Sequence, residues 1–169
     1  TQAKADKRKP NESCGAEMGY RYVDPPVIRA IPGGPEPLFG EDVPSTWPGA
    51  RLPHVWLNDG TALQDRLPIS GYTLLRLGGT QVQTAAIAQE FQKFGAPLTV
   101  LDIPDQIARD LYGFDLILFR PDMHIVWRAQ LLPDDPAALA AIAIGRCARG
   151  PQMTLRARII VLGTARRAA

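Results

Sequence analysis

From Gly71 onward the apolar positions fall into regular blocks. Tyr72-Thr-Leu-Leu-Arg-Leu77 is a short β-type run closed by Gly78-Gly79. Thr84 to Phe94 sets Ala85, Ile87, Ala88, Phe91 and Phe94 at helical spacing, and Gly95 followed by Pro97 marks the stop. Leu98 to Ile103 is mostly apolar, which predicts a strand covered on both faces. Pro104 fits the first turn of a short helix running to Tyr112, with Asp105 near its positive end and Gly113 as its stop. Leu116 to Phe119 predicts a third strand. His124 to Ala129 predicts a fourth, with Ile125 and Trp127 on one face, and Arg120-Pro-Asp-Met123 between them has the length of a tight hairpin. Asp134-Asp135-Pro136 then opens a helix through Ala-rich sequence to about Gly145.

The resulting order is β-α-β-α-β-β-α. A helical crossover favours parallel pairing of the first two strands, and a tight turn makes the last two antiparallel. The expected fold is therefore α/β, a mixed four-strand sheet with the thioredoxin-like order.

The first 70 residues read differently. Ten of the sixteen prolines lie within the first 68 residues, and Asp24 to Pro53 has no sustained period. Repeated Pro excludes a long helix there, while the Val, Ile, Leu, Phe and Trp content is too high for a plain linker. The expected form is an extended arm pinned to a surface by apolar side chains. The expected division is a basic end over 1–11, the arm and loops over 12–70, the thioredoxin-like core over 71–145, and an Arg-rich tail over 146–169. In that tail Met153 to Leu162 reads either as an extra strand, with Arg156 and Arg158 on one face, or as a loosely ordered end.

Charge adds one correction to the bulk figures. The net charge of +2 hides +3 on residues 1–10, +6 on 146–169 and −7 on the body between. A nucleic-acid binder usually carries its positive charge as a patch on the folded part, so nucleic acid is not an expected partner. With 46% hydrophobic and 21% charged residues the chain is ordinary for a globular protein. The longest apolar run, Ala137 to Ile144, is far short of the ~20 residues that span a bilayer. No secretory apolar segment follows the N-terminus, so a cytoplasmic location is expected. The first residue is Thr rather than Met, which is expected of a processed, excised or truncated chain.

Little chemistry is visible. A redox thioredoxin holds its cysteines between the first strand and the first helix, where the helix terminus lowers a thiol pKa. Here that loop is Gly78-Gly-Thr-Gln-Val-Gln83, with no Cys, and no Pro stands directly before the third strand. Thr80 has no nearby base to make it a nucleophile. The loop also lacks GxGxxG and GxxxxGK[ST], so it reads as a strand-to-helix turn and no nucleotide site is expected. Cys14 and Cys147 lie far apart with only His54 and His124 for company, which makes no familiar zinc spacing. They read as reduced cytosolic thiols, and a disulfide joining the domain's ends has no support. His124 is expected to be a surface or hairpin residue. His54 is expected to bond backbone and fix the arm. Asp65 and Arg66 could pair locally, and Trp47, Trp56 and Trp127 read as core or interface anchors.

Several segments nonetheless share a recognisable register. They are Pro48-Gly-Ala-Arg-Leu-Pro-His-Val-Trp-Leu57, Asp59-Gly60, Leu63-Gln-Asp-Arg-Leu67 and Gly71-Tyr-Thr-Leu-Leu-Arg-Leu-Gly78. Pro97-Leu-Thr-Val-Leu-Asp102, Leu111-Tyr-Gly113 and Leu118-Phe-Arg-Pro-Asp-Met-His-Ile-Val-Trp-Arg128 continue them. Together they resemble the C-terminal domain of FAD-dependent aromatic-ring hydroxylases of the phenol-hydroxylase and polyketide-hydroxylase type. Gly15-Ala-Glu-Met-Gly-Tyr-Arg-Tyr22 resembles the segment by which those enzymes leave the flavin domain, so the likeness runs from about residue 12 to 145.

The resemblance implies a thioredoxin-like domain without redox cysteines, appended to a flavin- and substrate-binding domain in a structural or dimer-contacting role. The full enzymes use NAD(P)H to reduce FAD and then O2 to hydroxylate a phenolic ring. This chain shows none of the flavin-domain motifs, and that cofactor carries the hard chemistry. The chain alone is therefore expected to bind no FAD or metal and to catalyse nothing. It is expected to act as an accessory and dimerisation domain, a fragment or a separately encoded unit, with Tyr20, Tyr22, His54 and Trp56 as contacts to a flavin domain or dimer partner. The alternative is a free-standing binding module for a small aromatic ligand or a protein. An independent thiol enzyme is disfavoured by the missing loop cysteines.

Overall fold

Strand Tyr72–Leu77 (β1) and strand Leu98–Ile103 (β2) are joined by helix Ala85–Lys93 (α1), and the crossover leaves them parallel in register from Tyr72↔Leu98 to Leu77↔Ile103. Helix Gln106–Tyr112 (α2) follows. Strand Leu116–Phe119 (β3) then enters on the other side of β1, antiparallel to it, and the hairpin adds strand Ile125–Ala129 (β4). Helix Pro136–Ala143 (α3) closes the order, and the sheet runs β2-β1-β3-β4, the thioredoxin-like arrangement. The structure, a computed structural model, describes residues 20–22, 26–29, 31, 33–35 and 43–146. The basic N-terminal end, Gly15 to Gly19, Cys14, Cys147 and the strand considered over Met153 to Leu162 lie outside them.

The strand alternation builds two cores. Leu74, Leu116 and Leu118 face α1 and α3, meeting Ile87, Phe91, Leu139, Ala140 and Ala143. Leu75, Leu77, Ile117 and Phe119 face the opposite way, onto Ala108 and Tyr112 of α2 and onto Leu52, Val55, Leu57 and Leu63. The second layer is thus only partly helical, and the Pro-rich stretch completes it. Tyr112 is deeply buried, which pushes its phenol well above the ordinary value, and it donates a 2.6 Å hydrogen bond to the Pro53 carbonyl.

Two expectations about strand faces are corrected. β2 is an edge strand and only half buried, with Thr99 and Asp102 exposed, because it pairs with β1 alone. Its apolar run reflects contact with both cores at a sheet margin, not full enclosure. Ile125 and Trp127 do not share a face. Phe119 pairs with Ile125 while Leu118 pairs with Trp127, so one extra residue enters β4. This β-bulge puts Ile125 with Phe119 in one core and Val126 and Trp127 in the other. No sequence period encodes such an insertion.

The helix boundaries follow local chemistry. Asp135 caps α3 by accepting from the Ala138 amide at 2.9 Å, with Pro136 at the first position. α2 begins one turn-step later than the sequence implies. Asp105 is its N-cap, leaving Pro104 outside, and its carboxylate accepts from the Ala108 amide (3.1 Å) and from the Asn58 amide (2.7 Å). The Asn58 amide, followed by that of Ala108, holds the carboxyl below its ordinary value. Asp105→Ala should therefore cost about 1–2 kcal/mol, the upper range of a lost cap. The Asp105 share of wild-type stability is present above the ordinary carboxylate pKa and is lost as pH falls through the depressed folded value. Urea titrations of both proteins at pH 7 and pH 3 check this: the gap between them should narrow in acid.

Candidate functional site

β4 is the other sheet edge, and unpaired edges invite unwanted pairing. Here the chain's own arm covers it. The Gly49 amide donates to the Ile125 carbonyl (2.7 Å), the Ile125 amide to Ala50 (2.9 Å), the Leu52 amide to Met123 (2.8 Å), and the Arg29 amide to Val126 (3.1 Å). Tyr22 is then tied on through its own amide to the Gly49 carbonyl at 3.0 Å. Gly49 has φ +93°, and an added Cβ would stand 2.1 Å from the Tyr22 carbonyl oxygen, so only glycine lets the two strands approach.

Tyr20 and Tyr22 come together over one residue. Their rings meet edge to face at 5.4 Å, and both pack on the His124 ring, at 5.1 and 4.8 Å. His124 is 4% exposed, so the expectation of a surface residue is corrected. It precedes β4 in the hairpin, and the arm closes over it from the side. Burial lowers its pKa, and the Asp122 carboxylate opposes that only in part. Tyr20 has its phenol pKa raised, first by its hydrogen bond with Tyr22.

The other two expected contacts form a separate pair. The structure places the His54 ring edge-on to Trp56 at 5.0 Å and leaves both exposed, Trp56 at 62%. Among the described hydrogen bonds His54 makes none to backbone. Trp56 is not a core residue. It lies on a hairpin whose turn is built by Asp59, which accepts from the Thr61 amide and hydroxyl. Those Thr61 bonds, with Arg66 beside them, hold Asp59 below its ordinary value. Arg66 pairs with Asp59 rather than with Asp65, because the hairpin brings residue 59 back alongside the 3-10 turn Leu63–Arg66.

One residue that carries much of this geometry is not evident in the sequence. The Arg128 guanidinium sits between the rings of Trp47 (4.7 Å) and Phe114 (4.4 Å) and donates to Thr46 Oγ1 at 2.5 Å. Thr46 in turn donates to the Tyr112 carbonyl. This stack fastens the arm to β4 and to the end of α2. Its partners are 14 and 81 residues away along the chain, beyond any local pattern.

The β1–α1 turn carries no thiol. Arg109 lies over it, so that a Cβ on Gly78 would come within 2.9 Å of the Arg109 side chain, and Thr84 caps α1 without a side-chain bond. Arg109 is itself paired with Asp115. The described residues include no group of three or more His, Cys, Asp or Glu side chains placed to hold a metal. No described helix is long and apolar enough to cross a membrane.

Comparison with known proteins matches this construction. Residues 45–146 match the family of the aromatic-ring hydroxylase C-terminal domain. The chain is 34% identical to the FAD-dependent monooxygenase apdD of Emericella nidulans, aligned over 79% of this chain and 22% of that protein. It is 35% identical to 2,4-dichlorophenol 6-monooxygenase of Cupriavidus pinatubonensis over 78% of this chain and 25% of that enzyme. Among solved structures, that of the rebeccamycin biosynthetic enzyme RebC with reduced flavin superposes with a TM-score of 0.70 at 28% identity, covering 83% of this chain and 25% of that one. The chain belongs to the aromatic-ring hydroxylase C-terminal family. It spans about a quarter of the length of the curated relatives it matches.

Proposed function

We propose that this chain is the non-catalytic accessory domain of an FAD-dependent aromatic-ring monooxygenase, which packs on the flavin- and substrate-binding domain and supports a homodimer. The observation that carries this reading is the state of the β1–α1 turn. In a thioredoxin-like fold it is the natural place for chemistry, and here it holds two glycines and a covering arginine in a region without thiols. The other distinctive feature is the exposed aromatic pair His54 and Trp56. Tryptophan held outward on a hairpin is a common anchor of protein interfaces. FAD and NAD(P)H belong to the flavin domain in this reading, and its cytoplasmic setting is proposed with it.

Mixing the purified chain with excess FAD and desalting it tests the reading. The expected protein fraction is colourless. A fraction that keeps the flavin absorbance bands would show a cofactor site on this chain and overturn the accessory role.

A further inference from the structure

His124 is a buried imidazole with unused hydrogen-bonding capacity. Among the described residues neither ring nitrogen has a hydrogen-bond partner. Nδ1 lies 3.4 Å from Asp122 Oδ1, an electrostatic contact outside hydrogen-bond geometry, and that oxygen also accepts from the His124 amide at 3.1 Å. Asp122 is also paired with Arg120 at 2.9 Å. Arg51 is bridged to His124 through the backbone from the arm, and the Tyr20 and Tyr22 rings close the remaining side. The charged and titratable groups described around the ring are thus one carboxylate, already shared with the Arg120 guanidinium, and the phenols of Tyr20 and Tyr22, while Arg51 pairs with His124 through its backbone.

A neutral imidazole tolerates this slot, because its faces meet aromatic rings. An imidazolium does not. It presents two N–H donors, of which only Nδ1 faces a carboxylate, that of Asp122, and burying the charged Nε2 donor without a described acceptor is costly. Arg120 adds like charge nearby. The Tyr20–Tyr22 segment covers the ring, and among the described residues it is held by the Tyr22-to-Gly49 backbone bond, by the bond from the Arg21 guanidinium to the Gly33 carbonyl, and by the rings themselves.

We propose that His124 is an acid-sensitive latch: neutral, it clamps the Tyr20–Tyr22 segment to the β4 edge, and protonated, it releases that segment. The direction follows from burial. A histidine held neutral by its surroundings contributes stability at neutral pH and loses it as pH falls through its lowered folded value. The latch therefore opens on the acid side and is shut at pH 7. The segment it controls is the one through which residues further upstream reach this domain, so release would loosen the domain's attachment without unfolding its sheet.

Hydrogen–deuterium exchange on the full chain, corrected for intrinsic exchange rates, tests this between pH 7.5 and pH 5. Protection of the Tyr22 amide should fall by up to about tenfold per pH unit once the ring titrates, while the Leu75 amide in β1 stays protected. In His124→Phe, which keeps an aromatic in the slot and removes the charge, Tyr22 protection should be the same at both pH values. Gly49→Ala, which blocks the approach of the two backbones, should show an unprotected Tyr22 segment at both. Should His124→Phe fail to fold, the wild-type profile still decides, read against the His124 Cε1 proton by NMR. Wild-type Tyr22 protection that ignores the His124 titration overturns the latch, as does a pH-dependent loss that survives in His124→Phe.

Discussion

Phe91→Ala is expected to cost the domain about 3–5 kcal/mol, the range for removing a large aromatic from a packed core. Phe91 is fully buried in α1, stacks at 5.1 Å on Tyr72 of β1, and belongs to the core where α1, α3 and the sheet meet. That core is walled by two helices and the sheet, with Ile28 of the arm closing it, so most of its lining is fixed in regular structure. A domain of ordinary stability has about 5–15 kcal/mol in all, so this variant should be marginal or unfolded at 37 °C. Urea denaturation followed by circular dichroism checks it. Ile107→Ser on the exposed side of α2, where the side chain is 48% accessible, serves as the control and should stay within about 0.5 kcal/mol of wild type.

Trp56→Ala is expected to leave folding nearly untouched and to weaken association strongly. The side chain is mostly outside, so its loss removes little buried area from the monomer, and a change under about 1 kcal/mol is expected. If the proposed homodimer uses this anchor, the dissociation constant should rise by about 30-fold or more, equivalent to the 2 kcal/mol or greater of an interface hot spot. Sedimentation over a concentration series measures this. His54→Ala should produce a smaller shift in the same direction, because its ring braces Trp56 and presents less area.

These two residues also show what a sequence can and cannot disclose. Phe91 was legible because it sits in the i, i+3, i+4 stripe of α1, and all seven regular elements from Tyr72 to Ala143 follow from such local periods, glycine stops and caps. The β4 bulge was not legible, because an inserted residue leaves the apolar run Ile125-Val-Trp127 unchanged while reversing which core each side chain enters. The same limit applies to His124. Its burial comes from Tyr20 and Tyr22, about 100 residues earlier, folding over the hairpin, and nothing near position 124 records that contact. Trp56 could be picked out as an anchor, but core and interface look alike until its 62% exposure is seen. The Arg128 stack is likewise non-local, joining Trp47, Phe114 and β4.

The aromatic-hydroxylase register, by contrast, was readable from turns and strands that the fold holds in place. Leu111-Tyr-Gly113 ends α2 with Gly113 at φ +75°, and Arg120 to Met123 makes the hairpin with Met123 at φ +65°. Residues with such fixed geometric duties make a family visible, even where they do no chemistry.

The proposed role depends on contact between chains, and the mass of the purified chain in solution tests it most directly. Light scattering over a concentration range should give a particle of twice the chain's 18.4 kDa, with Trp56→Ala shifted toward the monomer. A wild-type chain that remains at the monomer mass at every concentration would contradict the dimer-supporting role.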